Sequence, residues 1–133
     1  MSVEFLIEGI PRTAQTKRAR SRNEWKQRVR AAAKIALLNA PAQGTEVSAV
    51  IVYFHTDETQ LDVDGIPKLI LDALKGVAYA DDGPVAQIIC RKTQKGAALT
   101  ITNPTEVMTA VPDTWDHFVY VRIDAGPKHE VLP

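Results

Sequence analysis

Acidic residues and one lysine recur at short intervals between Leu61 and Lys92, in a stretch that reads LDVDGIPKLILDALKGVAYADDGPVAQIICRK. Asp62 and Asp64 follow a strand-like run, and in an extended chain a spacing of two places both side chains on one face. Lys68 and Asp72 come four and eight residues after Asp64, so a helix that begins near Asp64 would carry all three on one face. The pattern predicts a shared polar site at the start of this helix.

Asp81 and Asp82 arrive later, in a turn before the next strand-like run. If the two flanking strands are neighbours, their ends bring Asp82 back beside Asp62 and Asp64. Two unit charges about 4 Å apart repel by roughly 4 kcal/mol at an effective dielectric near 20. A divalent cation relieves that repulsion, and Mg²⁺ is the usual choice for carboxylate sites that also hold a phosphate. Such a metal polarises a phosphodiester and generates a water-derived nucleophile, while the Lys68 ammonium would stabilise the developing charge.

Each of these features also has an ordinary structural interpretation. An Asp-x-Asp before a helix is common as capping and surface charge, and Asp81 to Pro84 is typical of a turn. Lys68 could simply pair with Asp64 and Asp72 along the helix. Their coincidence in one strand–helix–turn–strand unit favours the metal site.

The formal net charge of zero hides a strong asymmetry. The segment from Arg12 to Lys34 has nine basic residues and the single acid Glu24, so it carries +8 and the remainder carries −8. The basic residues are Arg12, Lys17, Arg18, Arg20, Arg22, Lys26, Arg28, Arg30 and Lys34. This split indicates a polyanion-binding face separate from an acidic site, although a solvated helix face would give the same count.

The elements that must position these residues follow from periodicity and breakers. The pattern predicts four strands, at Val3–Glu8, Glu46–His55, Val85–Lys92 and Ala97–Thr102, with a hairpin turn at Thr93–Gly96 between the last two. It predicts a loop at Thr13–Arg22 and then a helix that is capped by Asn23 and runs to about Asn39. A second helix is predicted from about Asp64 to Lys75. The order β-α-β-α-β-β predicts an α+β domain with a mixed sheet and helices packed against it.

Residues 1–103 are assigned to this domain, and residues 104–133 to a C-terminal extension packed on it. The extension contains one more strand-like run, His117–Ile123, whose role the pattern does not settle. Trp25 lies in the apolar stripe of the first helix and is expected in the core, whereas Tyr79 is left unassigned.

Composition limits the possible classes of protein. A chain of 133 residues fits one domain, and 45% hydrophobic residues argues against disorder. No apolar run approaches the roughly 20 residues needed to span a bilayer, and Glu4 and Glu8 interrupt the apolar residues at the N-terminus. Cys90 is the only cysteine, so neither an internal disulfide nor a cysteine zinc site is possible. We expect a cytoplasmic protein.

The chain resembles the RusA-like crossover-junction endodeoxyribonucleases. The resemblance rests on Asp62-x-Asp64-x-x-x-Lys68, then Leu71-Asp72-Ala73-Leu74-x-Gly76, then Asp81-Asp82 and an apolar strand. The opening Gly9-x-Pro11 and the later Lys17-Arg18-x-Arg20 are similar to the family's N-terminal region, so the resemblance covers roughly residues 3–103.

The resemblance implies a RusA-like fold and a Mg²⁺-dependent active site formed by Asp62, Asp64 and Asp82, with Asp81 as a possible helper and Lys68 as a catalytic residue. It also implies a homodimer that binds four-way (Holliday) DNA junctions and nicks two strands symmetrically in recombination and repair. The run His117–Ile123 and the apolar residues near Tyr79 are candidates for the dimer contact.

The basic segment would hold the DNA backbone through Arg12, Lys17, Arg18, Arg20 and Arg22. Two departures from the family pattern bear on activity. Gly65 stands where the family usually has Asn, and Pro84 where it often has Gln.

A rival function is a catalytically weakened module that binds junctions without cutting them. A more distant rival is a phosphohydrolase of small nucleotides, which the basic segment disfavours because a small substrate needs no extended cationic face.

Overall fold

The computed structural model describes residues 2–37, 46–56, 61–79, 85–95 and 106–125. The elements in chain order are β1 (Ser2–Glu8), α1 (Ala19–Ala36), β2 (Val47–His55), a 3₁₀ turn (Val63–Gly65), α2 (Pro67–Leu74), β3 (Val85–Gln94), α3 (Glu106–Thr109) and β4 (Phe118–Ala125). The α+β class is confirmed. None of the helices in these ranges is long and apolar enough to cross a membrane.

The four strands form one mixed sheet in the spatial order β1-β4-β2-β3. β4 is antiparallel to both of its neighbours, whereas β2 and β3 are parallel. The predicted mixed sheet is therefore confirmed. Among the described strands, β4 is the one that makes the sheet mixed, and the sequence pattern leaves its role in the fold open.

β4 lies inside the sheet rather than beside it. Val121 pairs with Phe5 of β1 on one side and with Ile51 of β2 on the other, and all three side chains are buried. The run His117–Ile123, a candidate for the dimer contact, offers no strand edge to a second chain, because β4 already pairs along both edges. The reason is its composition, since alternate residues of this run complete the apolar face between β1 and β2.

Both long helices pack on the same face of the sheet. Trp25, Val29 and Ala33 are buried at a spacing of four, which is the apolar stripe predicted for α1. Arg30 on α1 joins the two helices, because its Nε donates to the backbone oxygen of Ala73 on α2 at 3.1 Å. The core position expected for Trp25 is confirmed, with 2% of the residue exposed.

Tyr79, which the sequence pattern left unassigned, is also a core residue. It is fully buried, and its hydroxyl donates to the backbone oxygen of Leu71 at 2.6 Å. Its side chain therefore supports the end of α2 and does not form an accessible contact surface.

α1 begins earlier than its sequence pattern predicted. The helix starts at Ala19 with Arg18 at the N-cap, so the predicted loop at Thr13–Arg22 is confirmed as far as Arg18 and wrong beyond it. The predicted cap at Asn23 is also wrong. No side chain caps the helix, and no residue before Trp25 in it is buried. Because the first turns have neither an apolar stripe nor a capping side chain, the pattern had no signal there. The helix ends at Ala36, and the predicted end at Asn39 lies outside the described residues.

The predicted helix from Asp64 to Lys75 is divided in two. Pro67 lacks the N–H that would bond to the Val63 carbonyl in a continuous α-helix. Ile66 N donates to that carbonyl instead, at 3.4 Å, and this closes a 3₁₀ turn before α2. Pro67 stands in the first turn of α2 as expected, and Gly76 follows its end with a φ of +77°.

β3 extends beyond its predicted end, since Thr93 and Gln94 continue the strand instead of opening a hairpin turn. The predicted strand at Ala97–Thr102 lies outside the described residues.

Candidate active site

Asp62 and Asp64 line one cleft although the backbone between them is not extended. Val63–Gly65 forms the 3₁₀ turn, closed by a 3.0 Å bond from the Gly65 N–H to the Asp62 carbonyl. Both aspartates are exposed and line a cleft of about 430 Å³. The expected extended geometry is wrong, but the turn still directs both carboxylates to the same space.

Asp64 also lines a second groove, of about 380 Å³, on the side of α2. The other lining residues are Pro67, Lys68, Leu71, Asp72, Val85 and Ile88. Asp64 therefore lies where the carboxylate cleft and the groove that contains Lys68 meet.

The route by which Asp64 reaches β3 differs from the expected one. β2 and β3 are parallel, with Val47 opposite Val85 and His55 opposite Gln94, so the end of β2 and the start of β3 lie at opposite ends of the sheet. The strand ends alone therefore cannot bring the two groups of acids together.

The chain after β2 instead returns alongside β3. Leu61 is fixed near the far end of β3, because its carbonyl accepts a 2.7 Å bond from Lys92 Nζ. Three residues later, Asp64 shares a groove with Ile88 and Val85 near the start of that strand. Asp82 precedes Val85 by three residues in the sequence, but Asp81, Asp82 and Pro84 lie outside the described residues.

The part of the chain that the structure describes contains no group of three His, Cys, Asp or Glu side chains able to hold a metal ion. It does supply Asp62 and Asp64, two exposed carboxylates in one cleft. Hard oxygen donors of this kind have the chemistry that Mg²⁺ requires, and the remaining predicted ligands are outside the described ranges.

A tight turn at residues 13–16 forms another part of the wall of the carboxylate cleft. Thr13 N donates to Thr16 Oγ1 and Thr16 N donates to the Thr13 carbonyl, both at 3.0 Å, while Gln15 N donates to Thr13 Oγ1 at 3.3 Å. Thr13, Gln15 and Thr16 all line the cleft. A Cβ at Gly65 would lie 3.4 Å from Gln15 Oε1 and 3.4 Å from Thr13 Cγ2. A methyl group at Gly65 would therefore be in van der Waals contact with the turn, which lies close to the segment that carries the aspartates.

The basic residues next to this turn differ in what they contact. Arg22 donates from Nη1 to the Thr16 carbonyl and thereby ties the turn to α1. Arg20 pairs with Glu24 at 3.2 Å, but both side chains remain largely exposed. Arg12, Lys17 and Arg18 are exposed, and their side chains form no hydrogen bond or ion pair with another described residue. Within the described ranges, three of the five predicted DNA-binding side chains are therefore not engaged in polar contacts with the protein.

Sequence reasoning missed Gln15 and Thr16, which line the cleft with the aspartates. Gln15 and Thr16 are separated from Asp62 by more than forty residues, and no spacing pattern links the two segments. The sole available signal was the polar character of the loop after Pro11.

The structure is a small α+β domain with a mixed sheet and two helices on one face. Two aspartates line its cleft, and the start of α1 beside the cleft is basic and has no capping side chain. These features suit a polyanionic substrate. Residues 9–102 match the family model described as endodeoxyribonuclease RusA. The chain therefore belongs to the RusA family of endodeoxyribonucleases, which are Holliday junction resolvases. No curated protein sequence matches the chain at a significant level.

Proposed function

We propose that this chain is a Mg²⁺-dependent, structure-selective endonuclease that resolves four-way DNA junctions by paired cleavage in recombination and repair. One observation carries the proposal. Asp62 and Asp64 share a cleft with the turn at residues 13–16, and this turn leads directly into the basic start of α1. A phosphate held by the basic segment would therefore lie close to the carboxylates.

The metal would be held by Asp62, Asp64 and Asp82, with Asp81 as a possible helper. Asp62 and Asp64 are exposed, so a metal could reach them from solvent. When bound, Mg²⁺ supplies Lewis-acid polarisation of the phosphodiester and a water-derived nucleophile. The protein's part is to hold the carboxylates in place, and the bond between the Gly65 N–H and the Asp62 carbonyl fixes the turn that does so.

Lys68 would stabilise negative charge at the scissile phosphate. It lines the groove next to Asp64, and its side chain is 63% exposed, so the ammonium is accessible to DNA. A positioned cation of this kind acts on the charge that develops during cleavage.

The start of α1 would bind the DNA backbone. A helix N-terminus carries a partial positive charge, and acidic residues usually offset it. Here the first turn contains no acid, and Arg18, Arg20 and Arg22 add further positive charge. This arrangement is unfavourable for the isolated helix, but it favours an anionic partner such as phosphate. Arg12 and Lys17 would extend the same surface.

The active assembly would be a cytoplasmic homodimer. A four-way junction needs two cuts in strands of like polarity, and one chain of 133 residues provides one acidic cluster. Two-fold association repeats each site once and so provides the second cut.

A cleavage assay tests the proposal. The full chain is incubated with a labelled four-way junction and with linear duplex of the same sequences, each with and without Mg²⁺. We expect paired nicks in the junction with Mg²⁺ and none in the duplex. Asp62→Asn should abolish nicking and retain junction binding, whereas the matched control Asp113→Asn, an exposed acid outside the cleft, should behave as wild type.

The outcome also separates the rival function. Junction binding without nicking at any Mg²⁺ concentration would support the catalytically weakened module and overturn the endonuclease. Full activity in Asp62→Asn would remove Asp62 from the metal site.

A further inference from the structure

We propose that Gln15 is a substrate-positioning residue, whose side-chain amide contacts the DNA strand at the carboxylate cleft and helps to select the bond that is cut. The inference rests on the proposed endonuclease function and extends it to a residue outside the acidic motif.

The first support is location. Gln15 lines the same cleft as Asp62 and Asp64. Its Oε1 lies 3.4 Å from the position that a Cβ on Gly65 would take, so the amide is next to the turn that carries both aspartates. A strand whose phosphate approached the two carboxylates would pass beside this amide.

The second support is that the side chain of Gln15 is available while its backbone is fixed. The turn is closed by bonds that involve only the Gln15 backbone N–H and the backbones and hydroxyls of Thr13 and Thr16. Thr13 is 7% exposed and anchors the turn, whereas Gln15 is exposed and its amide bonds to no described residue. A rigid backbone with a free amide at its tip is pre-organised to contact a ligand at low entropic cost.

The third support is chemical. The two carboxylates can only accept hydrogen bonds or bind cations, so without a metal they cannot bind a phosphate oxygen. The Gln15 amide offers an N–H₂ donor to a phosphate oxygen and a carbonyl acceptor to a base edge. It therefore supplies to the cleft the donor that the aspartates lack, without a charge that would compete with the metal.

The test compares Gln15→Ala and Gln15→Glu with the matched control Gln27→Ala, which removes an exposed glutamine from α1 outside the cleft. Single-turnover cleavage of a four-way junction with Mg²⁺ is measured, together with the distribution of cut positions and the melting temperature. We expect Gln15→Ala to lower the cleavage rate about tenfold and to spread the cuts over neighbouring bonds, with an unchanged melting temperature. Gln15→Glu should lose more, because it replaces the amide donor with a carboxylate facing the phosphate.

A second variant checks that the effect comes from the amide and not from the turn. Gly65→Ala places a methyl group against Gln15 Oε1 and Thr13, and Gly65 does not have a positive φ that would strain the substitution. We expect Gly65→Ala to shift the cut positions in the wild-type background and to add nothing to Gln15→Ala. Independent, additive effects of the two substitutions would overturn the inference.

The possible failures are distinguishable. If wild type does not cut the junction with Mg²⁺, the proposed function and this inference fall together. If wild type cuts and Gln15→Ala matches Gln27→Ala in rate and cut positions, the endonuclease stands and Gln15 has no positioning role.

Discussion

The Nζ atom of Lys68 lies 3.2 Å from Oδ1 of Asp72, one helical turn further along α2. Both residues line the groove that also contains Asp64. Exposed pairs at this spacing contribute only about 0.3–0.5 kcal/mol to stability, so the pair can be broken at little cost when a stronger anion arrives. Asp72 therefore holds Lys68 at the groove in the absence of DNA without preventing it from turning to a phosphate.

Replacing Lys68 should separate cleavage from folding. Lys68→Ala is expected to lower the single-turnover cleavage rate on the order of 100-fold or more, because one positioned donor is removed from the developing charge. Since only a weak surface pair is lost, the free energy of unfolding should change by less than about 0.5 kcal/mol. The control Lys26→Ala, on α1, should leave the cleavage rate near wild type. A Lys68→Ala variant that cuts at the wild-type rate would contradict the proposed role.

The uncapped start of α1 predicts a conflict between stability and DNA binding. Arg18→Asp provides both a capping carboxylate and a favourable charge at the helix N-terminus, so the free energy of unfolding should rise by about 1 kcal/mol. Affinity for a four-way junction should fall, and the slope of log affinity against log salt should become shallower by about one contact. Urea denaturation and fluorescence titration at several salt concentrations measure the two effects.

Lys34→Asp is the matched control for Arg18→Asp. It makes the same change in charge in the last turn of α1, roughly 24 Å away at 1.5 Å per residue. We expect it to lower stability, because an acid there opposes the helix dipole, and to leave the salt slope unchanged. Equal losses of DNA affinity in both variants would show that net charge, and not the helix start, determines binding.

Sequence patterns predicted the helices and strands that bury an apolar face. They failed for elements whose position depends on contacts with residues far away in the sequence. The stripe Trp25–Val29–Ala33 and the apolar run of β2 were sufficient to locate α1 and β2. The start of α1 was missed because its first turns face solvent. The central position of β4 depends on pairing with β1 and β2, and no local spacing encodes that pairing.

The candidate site shows the same contrast between local spacing, which can be read from the sequence, and contacts between distant segments, which cannot. Spacing alone predicted that Asp62, Asp64 and Lys68 lie near one another, and they line the cleft and the groove that meet at Asp64. The position of Gln15 in the same cleft depends on the turn at residues 13–16, which no spacing within the motif encodes. The route of Asp64 along β3 depends on the parallel register of β2 and β3, which the sequence order did not reveal.

Buried ionisable groups predict a loss of stability in alkali. Burial raises the pKa of Cys90 to about 11 from its ordinary value of 9.0. Burial also raises the pKa of Tyr53, and burial together with Glu4 raises the pKa of Tyr120. The unfolded chain therefore releases these protons at lower pH than the folded chain does, so the free energy of unfolding should fall as the pH rises from about 9 towards 11. Urea denaturation at a series of pH values measures this.

Cys90→Ser removes the first of these three titrations and should flatten the decline between pH 9 and 10. The same raised pKa predicts that Cys90 in the folded protein reacts with a thiol reagent at pH 8 roughly 100-fold more slowly than in urea. A free energy of unfolding that stays constant or rises over this pH range would contradict the burial of these groups.

The interior position of β4 predicts that the fold depends on residues beyond the acidic motif. Val121 is fully buried between Phe5 and Ile51, which belong to the neighbouring strands. Val121→Asp would place a carboxylate in this apolar layer without a partner, at a cost of several kcal/mol. Small domains have a total stability of about 5–15 kcal/mol, so this single change should unfold much of the population at 25 °C. The control is Thr114→Asp, which places the same charge at an exposed position shortly before β4. It should change the free energy of unfolding by less than about 0.5 kcal/mol. Circular dichroism and limited proteolysis distinguish the two variants. A Val121→Asp protein that melts within a few degrees of wild type would mean that β1 and β2 form the core without β4 between them.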